Sequence, residues 1–310
     1  IYKAQIAGKG QRFVDLTAGF GVDAAFIAKG FQQAIIIELQ EKLCAITSGN
    51  YRQLGLDQVE VLCGNGVEYL HTMEHADLIF IDPARRDEHG GRTYGIADCT
   101  PNVLELREEL LAKADRVMIK LSPMLDWRKA VEDLKTVNEV HIVSVDNECK
   151  ELLLVLSVEA KPLQVFCVND GQIFTFVPAS TQRISLPALP LSFQFLYVPN
   201  ASIMKAGCFE ELAERFQVAP LDRNSHLFVS DREVQDFPGR CFVIEKMTSM
   251  NKRELKEALK GIRQANIAVR NFPLSVAELR KRLKLQDGGD TYIFATTVAD
   301  KGHQLLICHK

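Results

Sequence analysis

The sequence predicts an α/β protein: a doubly wound sheet of seven strands, the last one antiparallel, followed by a smaller α+β region. Three observations carry that reading. Strand-like and helix-like stretches alternate through roughly the first 160 residues, the pattern of a parallel sheet covered on both faces. The sixth and seventh strand candidates are separated only by residues 146–151, too few for a crossover helix, so they must form a hairpin. Past residue 160 the alternation stops and prolines gather, at 162, 178, 187, 190 and 199.

The seven strand candidates are 12–17, 34–38, 59–62, 77–81, 116–120, 140–145 and 152–158. Helical stretches fall between the first six, near 22–30, 41–54, 66–74, 101–113 and 126–135. The fourth of these has start chemistry, with Thr100 expected as N-cap and Pro101 in the first helical position. Beyond 160, short β-rich runs at 165–168, 173–177 and 194–198 precede helices near 201–216, 251–264 and 275–284. Ser275 and Glu278 have the spacing of a capping box, and Asn251 with Glu254 suggests another. Strands at 291–298 and 304–309, joined by a turn around Lys301–Gly302, close the chain. The expected division is 1–160, 161–235 and 236–310.

The chain has 310 residues, 47% hydrophobic and 25% charged, a balance that excludes disordered and fibrous classes. Its formal charge of −3 alone argues against a dedicated polyanion binder. Resolved by region the picture changes: residues 1–100 carry 9 Lys/Arg against 13 Asp/Glu, whereas 251–285 reach +7. Eight cysteines show no CxxC spacing, so neither a zinc ribbon nor a disulfide framework is expected, and reduced thiols of a cytoplasmic protein are. The longest apolar run, Leu152–Val158, is too short to span a bilayer, and no secretory signal is legible. Because the chain opens on Ile1, with a strand soon after, the natural protein is expected to extend upstream.

The chemistry concentrates at strand ends. The first strand runs into Asp15-Leu16-Thr17-Ala18-Gly19-Phe20-Gly21-Val22-Asp23, where small residues let a ligand approach the backbone at a helix start. The second strand ends in Glu38, nineteen residues after Gly19, placed to accept from both hydroxyls of a ribose. An Asn65-Gly66 turn follows the third strand. Together these favour an adenosine-containing cofactor. Ala24 and Ala25 stand where a dinucleotide fingerprint has its third glycine, and Asp15 and Asp23 would repel a pyrophosphate but suit a cationic sulfonium. That points to S-adenosylmethionine rather than NAD. The fourth strand ends in Asp82-Pro83-Ala84-Arg85-Arg86, an acid on a rigid loop followed by two arginines suited to a phosphate-bearing acceptor.

Residues 12–159 resemble a class I S-adenosylmethionine-dependent methyltransferase. Asp15–Asp23 matches the glycine-rich motif I, Glu38 the ribose acid, and Asn65 the position that often holds an acid beside the adenine. Asp82–Arg85 resembles the (D/N)PP(Y/F/R) motif of nucleic-acid methyltransferases, with Ala84 replacing the second proline and Arg85 the aromatic residue. The set DLTAGFGVD, DPARR, KLSPMLD at 120–126, NECKELLL at 147–154 and the tail RNFPLS…GGDTYIFAT resembles one narrower bacterial family, methyltransferases with a C-terminal THUMP-like domain. The resemblance implies a ferredoxin-like unit, then that domain, behind the Rossmann-like one. It also implies S-adenosylmethionine as cofactor, held by Asp15, Thr17, Ala18, Gly19, Phe20, Gly21, Asp23, Glu38, Leu39, Asn65 and Gly66. Asp82, Pro83 and Arg85 would be the catalytic set, with structured RNA (tRNA or rRNA) as substrate.

Within 251–285, Leu255, Leu259 and Ile262 share one helical face while Lys252, Lys256, Lys260 and Arg263 form a basic stripe. With Arg270 and Arg86 these are the expected RNA-binding residues. His71 and His75 flank Glu74 at helical spacing without a third ligand, so no metal is expected. Cys149 or Cys99 could supply a nucleophile only if the target were a pyrimidine carbon. A small-molecule methyltransferase, an NAD(P)-dependent oxidoreductase and an inactive RNA-binding adaptor stay open as alternatives.

Overall fold

The computed structural model describes residues 1–85, 95–159, 161–178 and 186–310. The chain divides into two units, Ile1–Asp170 and Gly171–Lys310.

Unit 1 opens with helix α1 (Tyr2–Ala7), which the sequence does not announce. Strands β1 (Gly10–Asp15), β2 (Phe31–Glu38), β3 (Val59–Cys63), β4 (Ala76–Ile81), β5 (Ala114–Leu121), β6 (Val137–Val145) and β7 (Glu148–Ser157) follow. Helices α2 (Val22–Ile27), α3 (Glu41–Gln53), α4 (Gly66–Thr72), α5 (Val103–Lys113) and α6 (Trp127–Leu134) connect them. The seven expected strands lie in the order β6-β7-β5-β4-β1-β2-β3, with β7 antiparallel to both its neighbours. One more, β8 (Gln164–Asn169), extends the β6 edge of this unit, and β9 (Gln172–Phe176) follows it in the chain. The β6–β7 hairpin turns on two residues, Asp146 and Asn147, both left-handed (φ 51 and 59), as a tight hairpin matched to strand twist requires. Strand centres are apolar because both faces are covered: Phe13, Val14, Ile36, Ile79, Val117 and Ile119 are fully buried.

Two local expectations change. Helix α5 starts later than Thr100: the Asn102 carboxamide accepts the Leu104 amide at 3.1 Å, so Asn102 is the cap and Pro101 precedes it. The expectation that every cysteine is a reduced thiol is also corrected. Cys44 on the first turn of α3 and Cys63 at the end of β3 form a disulfide, with Cα atoms 5.9 Å apart. Parallel pairing sets Glu38 opposite Cys63, and α3 leaves β2 just after Glu38, so one strand end brings both cysteines together. Spacing of nineteen along the chain hid what register makes adjacent.

Unit 2 holds a second sheet. Its strands are β10 (Phe195–Pro199), β11 (Ala219–Pro220), β12 (Phe228–Ser230), β13 (Gly239–Thr248), β14 (Asn266–Arg270), β15 (Tyr292–Val298) and β16 (Gly302–His309), ordered β11-β12-β10-β13-β16-β15-β14. The ten-residue β13 has no counterpart among the expected strands, because Arg240, Glu245 and Lys246 break its apolar alternation. Helices α7 (Ala201–Ala206) and α8 (Phe209–Phe216) replace one long helix, since Gly207 adopts a left-handed conformation (φ 67) that ends the first. Helix α9 (Lys252–Ala258) stops short of 264, and α10 (Val276–Leu283) has the expected capping box at Ser275 and Glu278. Glu254 does not close a box on Asn251; its carboxylate takes the Ser249 hydroxyl at 2.6 Å instead. One core holds Leu196, Phe242, Phe294 and Leu306, and another packs Ala258 and Leu279 with Ile293 and Ile307.

Candidate functional site

The site lies at the carboxyl ends of β1, β2 and β4, where the order reverses between β1 and β4 and the strands cannot cover the crevice between them. A cleft of about 340 Å³ is lined by Thr17, Gly19, Glu38, Leu39, Asn65, Gly66, Asp82 and Ala84 among others. A second hollow of about 220 Å³ is lined by Asp15, Thr17, Ala18, Gly19, Phe20, Gly21, Asp23, Asp82 and Lys120. Together the two take in every expected cofactor residue.

Hydrogen bonds fix the loop after β1. The Gly19 amide donates to Glu38 Oε2 at 2.8 Å, and the Gln40 amide to Oε1, also at 2.8 Å. The Ala18 amide donates to the Ile37 carbonyl at 3.0 Å. Gly21 is left-handed (φ 69), and a Cβ there would collide with the Tyr51 hydroxyl, which donates to the Gly21 carbonyl at 2.9 Å. A Cβ on Gly66 would overlap the Leu16 carbonyl, so glycine lets α4 start against β1. Asn65 caps α4, its side-chain oxygen accepting the Val67 amide at 2.9 Å. Phe20 and Leu39 are 63% and 66% exposed, so each offers an apolar surface to a ligand.

Asp15 is fully buried at the end of β1 and accepts the Thr17 amide at 2.9 Å. Desolvation pushes its carboxyl up to about 7, against the Thr17 hydrogen bond and with the negative charges of Asp82 and Asp23 adding to the rise. The Thr17 hydroxyl in turn accepts the Asp82 amide at 2.7 Å, tying the two sequence motifs together. Pro83 is buried, and Ala84 and Arg85 pair with Thr100 and Cys99. The Arg85 side chain and the whole of Arg86 lie outside the described residues.

Two cations that the sequence reading did not single out enter this site. Lys120, at the end of β5, donates to Asp82 Oδ2 at 2.6 Å and to Asp23 Oδ2 at 3.1 Å. Lys3, on α1, sits 2.8 Å from Asp23 Oδ1 and 2.7 Å from Glu151 Oε2. Burial would pull the Lys120 ammonium down, but Asp82 and Asp23 outweigh it and the net shift is upward. For Asp23 burial pushes the carboxyl up, but Lys3 and Lys120 outweigh it and hold it below the usual range. This corrects the simple acidic-pocket argument, since Asp23 is paired with two ammonium groups and Asp15 resists ionisation. The signal for Lys120 was present in the Lys120–Asp126 motif; for Lys3, on an unannounced helix, there was none.

Other expected residues lie apart. Lys252, Lys256, Lys260 and Arg263 are exposed in unit 2 and Arg270 is half-buried. Lys260 falls in the turn after α9 and Arg263 beyond that turn, so the stripe is only partly helical. His71 pairs with Glu109 at 2.8 Å and His75 with Asp115 at 3.7 Å, and no cluster suited to a metal occurs among the described residues. Trp127 is buried. No helix among the described residues is long and apolar enough to cross a membrane.

The family model described as THUMP domain-like matches residues 239–310, and a ferredoxin-like domain model matches 195–238. Among solved structures, a candidate methyltransferase from Porphyromonas gingivalis W83 is 35% identical, with a TM-score of 0.90 over 100% of this chain and 79% of that one. An rRNA methylase from Streptococcus thermophilus is 19% identical (50% of this chain, 92% of that one, TM-score 0.37). TrmK of M. capricolum, bound to S-adenosylhomocysteine, is 13% identical (55% and 69%, TM-score 0.40). None of the curated proteins compared matches the chain.

Proposed function

The chain belongs to the bacterial family of class I methyltransferase-fold proteins with a C-terminal THUMP-like domain, and from that premise we propose that it is an S-adenosylmethionine-dependent methyltransferase acting on a base in structured RNA, tRNA or rRNA. The observation that carries this reading is the single cleft lined at once by Glu38 and by Asp82, the acid suited to a ribose and the acid suited to an acceptor. The residues fit the cofactor. Glu38 presents a carboxylate whose oxygens keep lone pairs beyond those given to Gly19 and Gln40. Gly19, beside which a Cβ would meet nothing within 4 Å, leaves the close approach that a nucleoside needs. When bound, the cofactor supplies an electrophilic methyl group on sulfur.

The chain's own residues then have to align an acceptor lone pair with that methyl and keep water out. Asp82 orients or deprotonates the acceptor, Pro83 stiffens its loop, and Arg85 holds a substrate phosphate. The Rossmann-like domain over 1–160 would carry the chemistry. The regions 161–235 and 236–310 would dock the RNA through Lys252, Lys256, Lys260, Arg263 and Arg270 with Arg86.

The test pairs calorimetry of S-adenosylhomocysteine with transfer of labelled methyl into RNA from a strain lacking the gene. Binding plus incorporation that Asp82→Ala abolishes supports the reading. Incorporation into small metabolites alone, or binding without any transfer, overturns the RNA assignment.

A further inference from the structure

The centre of strand β5 is apolar: Val117, Met118 and Ile119 are fully buried. Lys120 follows and places an ammonium beneath two carboxylates from different elements, Asp23 on α2 and Asp82 after β4. Burying a cation there costs desolvation, and the ordered side chain loses rotamer freedom. A partly buried ion pair of this kind need not add net stability, so the lysine is poorly explained by stability alone.

The geometry is asymmetric in a useful way. The Asp82 side chain is 40% exposed and lines both hollows, whereas Lys120 is 26% exposed and lines only the smaller one. Asp82 is gripped at two points, its amide by the Thr17 hydroxyl at 2.7 Å and its Oδ2 by Lys120 at 2.6 Å. With its backbone pinned and one carboxylate oxygen held, the side chain has little freedom to turn. The same ammonium also lets the charges of Asp23 and Asp82 coexist next to buried Asp15.

We propose that Lys120 is a positioning residue for methyl transfer: it aims the Asp82 carboxylate at the acceptor base without touching that base itself. The inference rests on the reading of this cleft as an RNA methylation site. It adds that the acceptor presents a hydrogen-bond donor to Asp82, as a nucleobase edge with an N–H does.

The test uses the full chain with Lys120→Met, Lys120→Arg and Asp82→Asn, S-adenosylhomocysteine as binding probe, and labelled methyl transfer into the deletion-strain RNA. The expected result for Lys120→Met is a kcat about 100-fold lower, with KM for RNA and the affinity for S-adenosylhomocysteine within about threefold of wild type. Lys120→Arg, which keeps charge and donors, recovers at least about tenfold of that loss. Adding Lys120→Met to Asp82→Asn costs little more, because the lysine acts through the acid. Wild-type kcat in Lys120→Met, a loss confined to cofactor affinity, or an arginine variant as slow as the methionine one would each overturn the proposal. Should Lys120→Met not fold, Lys120→Gln takes its place under the same criteria. A wild-type protein that binds the probe but methylates no RNA instead sinks the underlying reading, and this inference with it.

Discussion

The carboxylate of Glu38 accepts the backbone amide of Gly19 at 2.8 Å, so the end of β2 holds the ligand-facing loop after β1 in place. The acid read from the sequence as a ribose acceptor is thus also a loop anchor. Removing it should hurt twice. Glu38→Ala is expected to weaken S-adenosylhomocysteine binding by about 10- to 100-fold, the worth of hydrogen bonds to a charged group. Glu38→Gln, which can still accept from Gly19, should lose less. Isothermal calorimetry of the three proteins checks the order, and equal affinities would remove Glu38 from the cofactor site.

How far the sequence announces this site depends on what each residue relies on. That Asp15, Gly19, Glu38 and Asp82 meet at one cleft was legible because their placement follows local order: a strand, then a small-residue turn or an acid. Lys3 was not, because its role depends on contacts with Asp23 and Glu151, residues far along the chain. The Cys44–Cys63 bond was invisible for the same reason, as only the β2–β3 register brings the pair together. In unit 2, strand β13 has no apolar alternation, its run Cys241–Ile244 being cut off by Glu245 and Lys246, yet it pairs with both β10 and β16. Its identity as a strand comes from its neighbours rather than from its own pattern.

Asp15 makes stability depend on pH with a defined sign. Its folded carboxyl titrates near 7 and the unfolded one near 3.8, so between those values the folded state carries a proton that the unfolded state has lost. Stability attributable to this group therefore falls as pH rises from about 4 to about 7, by at most ~1.4 kcal/mol per pH unit, and levels off above that. Asp15→Asn keeps an acceptor for the Thr17 amide and removes the titration. The melting temperature of wild type should drop more between pH 5 and pH 8 than that of Asp15→Asn, as followed by circular dichroism; parallel pH curves would contradict it.

The Cys44–Cys63 bond predicts a thiol count. Alkylation of denatured, unreduced protein should label six cysteines, and all eight after reduction, by intact mass. The bond closes a short loop that runs through most of α3. By the chain-entropy relation it stabilises the fold by about 3 kcal/mol. Cys44→Ser should therefore melt several degrees lower than the oxidised protein and match the wild type under reducing conditions. Eight labelled cysteines without reduction would remove the bond.

The basic stripe makes a prediction in salt rather than in sequence. Lys252, Lys256 and Lys260 are exposed, so they can meet phosphates without rearranging the core. Arg280 belongs less to this surface, since its guanidinium is spent on the Ala265 carbonyl at 3.1 Å and Asp287 at 2.6 Å. Each phosphate contact contributes roughly 0.7–0.9 to the slope of log affinity against log salt. The triple variant Lys252→Ala, Lys256→Ala, Lys260→Ala should therefore bind structured RNA more weakly at low salt and lower that slope by about 2–3. Its melting temperature should barely move, because exposed substitutions of this kind change stability by about 0.5 kcal/mol or less. Filter binding across a salt series reads the slope directly. An unchanged slope with unchanged affinity would mean that this stripe is only a solvated surface and that RNA, if bound, is held elsewhere.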